Sequence, residues 1–188
     1  RRHLAAEQKY NTSPFGLKVM QRTGNDLKTR DELVWQAGSL TWATLNLYLG
    51  SPVETSLAEA KKVINVSREH LRDPWDWRDL TTAWDGQPWC NSHYARQLIF
   101  WAIPLALSGQ QYSAPERRLS FTPKMGPGAK LPWFTPTAYG VLEIMPEGRF
   151  RLTTISGKLQ IDQLWIAGKC TAQGVLLEPG SVVELPAR

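Results

Sequence analysis

The sequence predicts a mainly α-helical segment followed by a small antiparallel β module, and three features of its 188 residues carry that expectation. Apolar residues recur at helical spacing over 31–49 and 56–71. A third apolar run covers Leu98 to Leu107. Beyond residue 138, short β-rich runs alternate with glycine- and proline-containing turns. The corresponding organisation is an α-helical portion over 1–123, a Pro/Gly connector over 124–137 and a β module over 138–188.

Residues 1–30 are polar and irregular, with Asn11-Thr12-Ser13-Pro14 and Gly24-Asn25 as turn signals. The first helix, 31–49, places Leu33, Ala37, Leu40, Ala43 and Leu47 on one face and stops at Gly50. A second helix starts at Ser56, which forms a capping-box pair with Glu59, and carries Leu57, Ala60, Ile64 and Leu71. Residues 72–90 hold Trp75, Trp77, Trp84 and Trp89 among Asp73, Asp76, Asp79 and Asp85. This stretch is too irregular for a helix and too aromatic for an idle linker, so it reads as an ordered functional loop.

The third helix spans about 92–108 and is apolar almost all round, so it needs cover on every side. Two helices and a sheet cannot supply that cover. The expected partner is a larger N-terminal polypeptide of the same precursor. Five strands follow, over 140–145, 149–155, 158–166, 172–177 and 181–185. Leu159 and Ile161 are out of phase with Leu164 and Ile166, which places a bulge near Asp162-Gln163.

Composition narrows the function classes. An apolar share of 42% is enough for a real core. The net charge of +5 comes from scattered lysines and arginines, dense only at Arg1-Arg2, Lys61-Lys62 and Arg117-Arg118. That distribution argues against a nucleic-acid partner. The run Leu98–Leu107 is too short to span a bilayer and contains Pro104. No signal peptide follows Arg1-Arg2-His3, and the start without Met points to a fragment or a processed chain.

His3, His70 and His93 are isolated from one another, so neither a metal nor another cofactor is expected. Cys90 and Cys170 form either one disulfide or two free buried thiols. The sequons at Asn11 and Asn65 tilt the expectation toward an extracytoplasmic protein rather than a cytoplasmic one.

One longer pattern remains. Cys90-Asn91-Ser92-His93-Tyr94-Ala95-Arg96, the apolar run, Leu105-Ala106-Leu107-Ser108-Gly109 and Leu119-Ser120-Phe121-Thr122-Pro123 resemble the C-terminal part of glycoside hydrolase family 116. That is the family of non-lysosomal glucosylceramidases and microbial β-glucosidases. Asp31-Glu32-Leu33-Val34-Trp35-Gln36-Ala37-Gly38 extends the likeness upstream.

The resemblance implies that the helices close an (α/α)6 toroid, with the β module as an appendage. It also implies retaining hydrolysis of a β-linked glycoside, with both catalytic carboxylates outside this chain. By the same likeness Arg96, Gln87, His93, Trp35 and Trp89 become the candidate sugar contacts. Gln87 and Trp89 stand where the family has two acids, and Asn91 stands where it has a glycine. Those departures favour the alternative of a non-catalytic carbohydrate-binding or interaction protein.

Read from their own chemistry, the candidates stay open. Arg96 suits vicinal hydroxyls or a salt bridge to an acid of the loop. His93 suits a ligand contact or a hydrogen-bonded core position. The loop tryptophans suit pyranose stacking or simple burial. Trp101, Trp133 and Trp165 read as core.

Overall fold

The computed structural model describes residues 2–19, 33–90, 92–93 and 95–186. Asp31, Glu32, Asn91, Tyr94 and the Gly24-Asn25 turn lie outside the described residues. The chain forms two compact units, 1–103 and 104–188.

The first unit is α+β. Helix α1 (Arg2–Asn11) leads into a short hairpin of β1 (Thr12–Ser13) and β2 (Gly16–Leu17). Strand β3 (Leu33–Trp35) runs directly into α2 (Gln36–Tyr48), which packs on α3 (Val53–Asn65). The last turn of α3 widens into a π-helical turn, Val66–His70. Strands β4 (Leu80–Thr82) and β5 (Pro88–Cys90) complete a three-stranded antiparallel sheet in the order β3-β4-β5.

The predicted face Leu33, Ala37, Leu40, Ala43 and Leu47 is buried in full. Leu33 contributes from a strand, however, because Leu33-Val34-Trp35 pairs with Leu80-Thr81-Thr82. The second helix also begins earlier than its capping pattern suggests. Pro52 precedes it, and Ser56 Oγ donates back to the Pro52 carbonyl at 2.8 Å. Glu59 is therefore a buried mid-helix residue, taking Lys62 Nζ at 3.0 Å and Thr12 Oγ1 at 3.0 Å.

The predicted third helix is two pieces. A 3-10 helix, Ala95–Trp101, gives way to α4 (Ala102–Ser108). Pro104 explains the break. It lacks an N–H and crowds the carbonyl four residues back, so it is tolerated only in the first turn of an α-helix, and it is the third residue of α4.

The second unit is a β-sandwich. One sheet has the order β13 (Val182–Leu185), β10 (Phe150–Gly157), β9 (Ala138–Ile144), β8 (Lys130–Phe134) and is antiparallel throughout. The other has the order β12 (Lys169–Leu177), β11 (Leu159–Ile166), β7 (Arg118–Phe121), β6 (Gln111–Ser113), with β7 and β11 parallel. Alternate residues of both sheets form one core, with Leu119, Phe121, Trp133, Leu142, Leu152 and Ile161 almost fully buried. Each such side chain contributes about 1.5–3 kcal/mol of burial.

Leu159 and Ile161 are buried, as are Leu164 and Ile166, so the inward face does change phase. The pairing irregularity itself lies at Leu164/Trp165, opposite Thr171, slightly beyond the expected position. Thr171 Oγ1 donates to the Leu164 carbonyl at 3.0 Å and occupies the bulge.

This architecture corrects the expected fold class. The chain is not mainly α and is not part of an (α/α)6 toroid. Helix and strand take 34% and 36% of it, with four short α-helices and thirteen strands among the described residues. Leu119-Ser120-Phe121, matched to the toroid end, is a strand whose Leu119 and Phe121 point into the sandwich core. Residues 80–82 and 88–90, expected as loop, are strands as well. The β module has eight strands rather than five, because β6, β7 and β8 join it. Among the described residues no helix is long and apolar enough to cross a membrane.

Candidate functional site, a tryptophan-lined cleft

The loop after the π-helical turn is built to present an aromatic side chain. Asp73 N donates to the Ser67 carbonyl at 2.9 Å, tying the loop to the end of the helix. Asp73 Oδ1 accepts the Asp76 N–H at 3.3 Å, which closes an Asx-type turn around Pro74 and Trp75. Trp77 Nε1 donates to the Pro74 carbonyl at 2.9 Å and fixes the second indole against the same turn. Trp75 is left at the apex, 86% exposed.

Across from this turn lies the 3-10 helix. Trp77 and Phe100 meet at 6.4 Å between ring centroids, tilted by 46°. Trp75, Trp77, His93, Gln97, Phe100 and Trp101 are the principal walls of an open cleft of about 590 Å³. Trp101 is 57% exposed and Leu98, on the same wall, 66%. Large apolar groups exposed side by side, with a few polar groups between them, are the usual make-up of a ligand site.

The polar edge of the cleft is His93, held by Asp76. The His93 N–H donates to Asp76 Oδ1 at 3.0 Å, and its Nδ1 lies 3.3 Å from the same oxygen. Arg78 Nη2 approaches Asp76 Oδ2 at 2.5 Å. His93 has a φ of 51°, a conformation that non-glycine residues seldom hold without support. The Asp76 contact supplies that support.

The five candidates from the sequence are dispersed. His93 is in the cleft. Arg96 is on the adjacent 3-10 helix, exposed, but does not line the cleft. Trp35 sits at the end of β3, where its Nε1 donates to Asp79 Oδ1 at 3.1 Å. It borders a separate depression with Leu4, Thr41, Trp42 and Leu45. Gln87 is in the turn before β5, its N–H donating to Thr82 Oγ1 at 2.9 Å. Trp89 is exposed on β5, away from the cleft lining.

Trp101 and Phe100 were not foreseen as cleft residues; the apolar run around them reads as core. Of the other two tryptophans read as core, Trp133 is fully buried. Trp165 is half-buried, with the Arg118 guanidinium 5.9 Å from its ring. The signal for the cleft residues was Pro104, which forbids a regular buried helix upstream of it.

The loop aspartates are engaged in holding the backbone. Asp73 closes the turn, Asp76 anchors His93 and Arg78, and buried Asp79 takes the Trp35 indole. Asp85 accepts from Thr82 Oγ1 and from the Gln87 N–H. The Thr82 hydroxyl, followed by the Gln87 amide and the nearby His70, holds the Asp85 carboxyl below the usual carboxylate range. None of the four aspartates lines the cleft.

Among the described residues no three His, Cys, Asp or Glu side chains gather as a metal site. Cys90, half-buried, and Cys170, exposed, are both free thiols. Neither a protein-family model nor a curated protein matches this chain.

Proposed function

We propose that the tryptophan-lined cleft binds carbohydrate, and that the chain is a sugar-contacting segment rather than a site of bond cleavage. The observation that carries this reading is the grouping of Trp75, Trp77 and Trp101 around one open cleft with His93 at its edge. Indole faces match the apolar C–H faces of a pyranose ring, and the rings bring much contact area at little entropic cost. A polar edge then meets the equatorial hydroxyls.

The reading is compatible with a glycoside hydrolase-like protein whose catalytic carboxylates come from outside these residues. In that setting a larger polypeptide of the same precursor also covers the exposed Leu98 side of the 3-10 helix. One observation favours the non-catalytic alternative: Asp73, Asp76, Asp79 and Asp85 each already serve a hydrogen bond within the fold. Cleavage needs a free pair of carboxyls about 5–10 Å apart.

The test is to titrate the 188-residue chain with β-linked tetrasaccharides and to assay the same samples for released sugar. Binding without release is the expected result. Release by the isolated chain contradicts the non-catalytic reading, and absence of binding contradicts the site.

A further inference from the structure

We propose that Gln97 is the specificity-determining residue of the tryptophan cleft, its Oε1 accepting a hydrogen bond from a ligand hydroxyl. The proposal rests on the carbohydrate reading above and names the group that selects the ligand.

Gln97 lines the cleft yet is only 8% exposed. Its Nε2 donates to the Arg78 carbonyl at 2.7 Å. That bond fixes which way the carboxamide points, because the flipped amide would set two carbonyl oxygens against each other. The other end, Oε1, is buried and has no hydrogen-bond partner among the described residues. Native proteins seldom leave a buried acceptor unpaired, and such a group gains on meeting a donor.

The chemistry of that atom restricts the ligand. Only a donor satisfies it, so a carboxylate, a phosphate oxygen or a hydrocarbon does not. A neutral polyol does. Leu98 and Trp101, which line the same cleft as Gln97, are mostly exposed. Exposed side chains change rotamer within nanoseconds, which opens a path for a hydroxyl to reach the amide. A stacked pyranose offers several hydroxyls around its rim, and Gln97 selects the one within reach while the indoles hold the ring.

Calorimetric titration of the wild-type chain, Gln97→Met and Trp101→Ala with cellotetraose and laminaritetraose tests this. Gln97→Met is expected to weaken binding of whichever sugar binds about tenfold, as loss of one buried hydrogen bond does. A monodeoxy series of that sugar against the wild-type chain needs no folded variant. One deoxygenation should cost about tenfold in wild type and have no effect in Gln97→Met. If Trp101→Ala loses binding while Gln97→Met stays within about twofold of wild type, Gln97 is not the reader, and the cleft stands. If no single deoxygenation matters, the inference likewise fails. If the wild-type chain binds neither sugar, the carbohydrate reading itself is overturned.

Discussion

His93 and Asp76 meet through a single carboxylate oxygen, which takes the histidine backbone N–H at 3.0 Å and lies 3.3 Å from its Nδ1. His93, two residues ahead of the 3-10 helix, is thereby fastened to the turn that carries Trp75 and Trp77. One carboxylate links the two walls of the cleft.

Asp76→Ala should consequently do two things. Losing a largely buried acceptor that serves both a backbone N–H and Arg78 is expected to cost about 1–3 kcal/mol, read as a lower denaturation midpoint. It should also free His93 from its left-handed conformation and weaken ligand binding. A variant with unchanged midpoint and unchanged affinity contradicts the linking role.

A second prediction concerns the sandwich core. Gly140 stands opposite Trp133 on β8, and the Trp133 Nε1 donates to the Thr153 carbonyl at 3.1 Å. A Cβ at residue 140 would overlap that same carbonyl and press on the indole nitrogen. Gly140→Ala is expected to destabilise the unit by about 3 kcal/mol, as overpacking of a filled core does. Trp133→Ala should cost about 3–5 kcal/mol through the cavity it leaves. Chemical denaturation followed by circular dichroism measures both, and a neutral Gly140→Ala would show that the strands separate without cost.

A third prediction is a pH dependence. Asp85 is held below the usual carboxylate range mainly by the Thr82 hydroxyl. A folded-state pKa below the unfolded one means that the ionised form favours the folded state. The contribution is complete above the unfolded value, about pH 4, and fades as the pH falls through the folded one. The β4–β5 turn should thus be weakened by acid, and Asp85→Asn should lower the thermal midpoint at neutral pH. Once the pH has fallen through the folded-state value, the variant and the wild type should converge. A difference that persists there assigns the effect to something other than the carboxylate charge.

The sequence made much of the second unit legible. Strict alternation, as in Phe150/Leu152 and Leu159/Ile161, needs only a two-residue period and a single buried face. Turn residues marked the corners, with Gly157 and Gly180 at φ of 83° and 82°. The strands β6 and β7 went unread because Gln111-Tyr112-Ser113 is short and polar. Leu119 and Phe121 were absorbed instead into a helical likeness, although their alternation is a strand signal.

The buried face of α2 was legible for the same reason that any amphipathic helix is. The cleft was only half legible. Trp75 and Trp77 stood out by composition, but Trp101 and Phe100 were hidden in an apolar run. Hydropathy alone cannot tell a covered helix from an exposed wall. Tertiary geometry decides that, and here Pro104 shifts the run out of regular α-helix. Gln97 gave no signal at all, since a glutamine acquires meaning only from the carbonyl that orients it.

The most direct test of the central claim is equilibrium dialysis of β-linked oligosaccharides against the wild-type chain and a Trp75→Ala/Trp101→Ala double variant. Both tryptophans are exposed, so their removal should leave the fold intact. The account predicts saturable binding to the wild-type chain and a loss of at least about tenfold in the double variant, in line with two stacked rings. Binding that is absent from the wild type, or equal in both proteins, contradicts it.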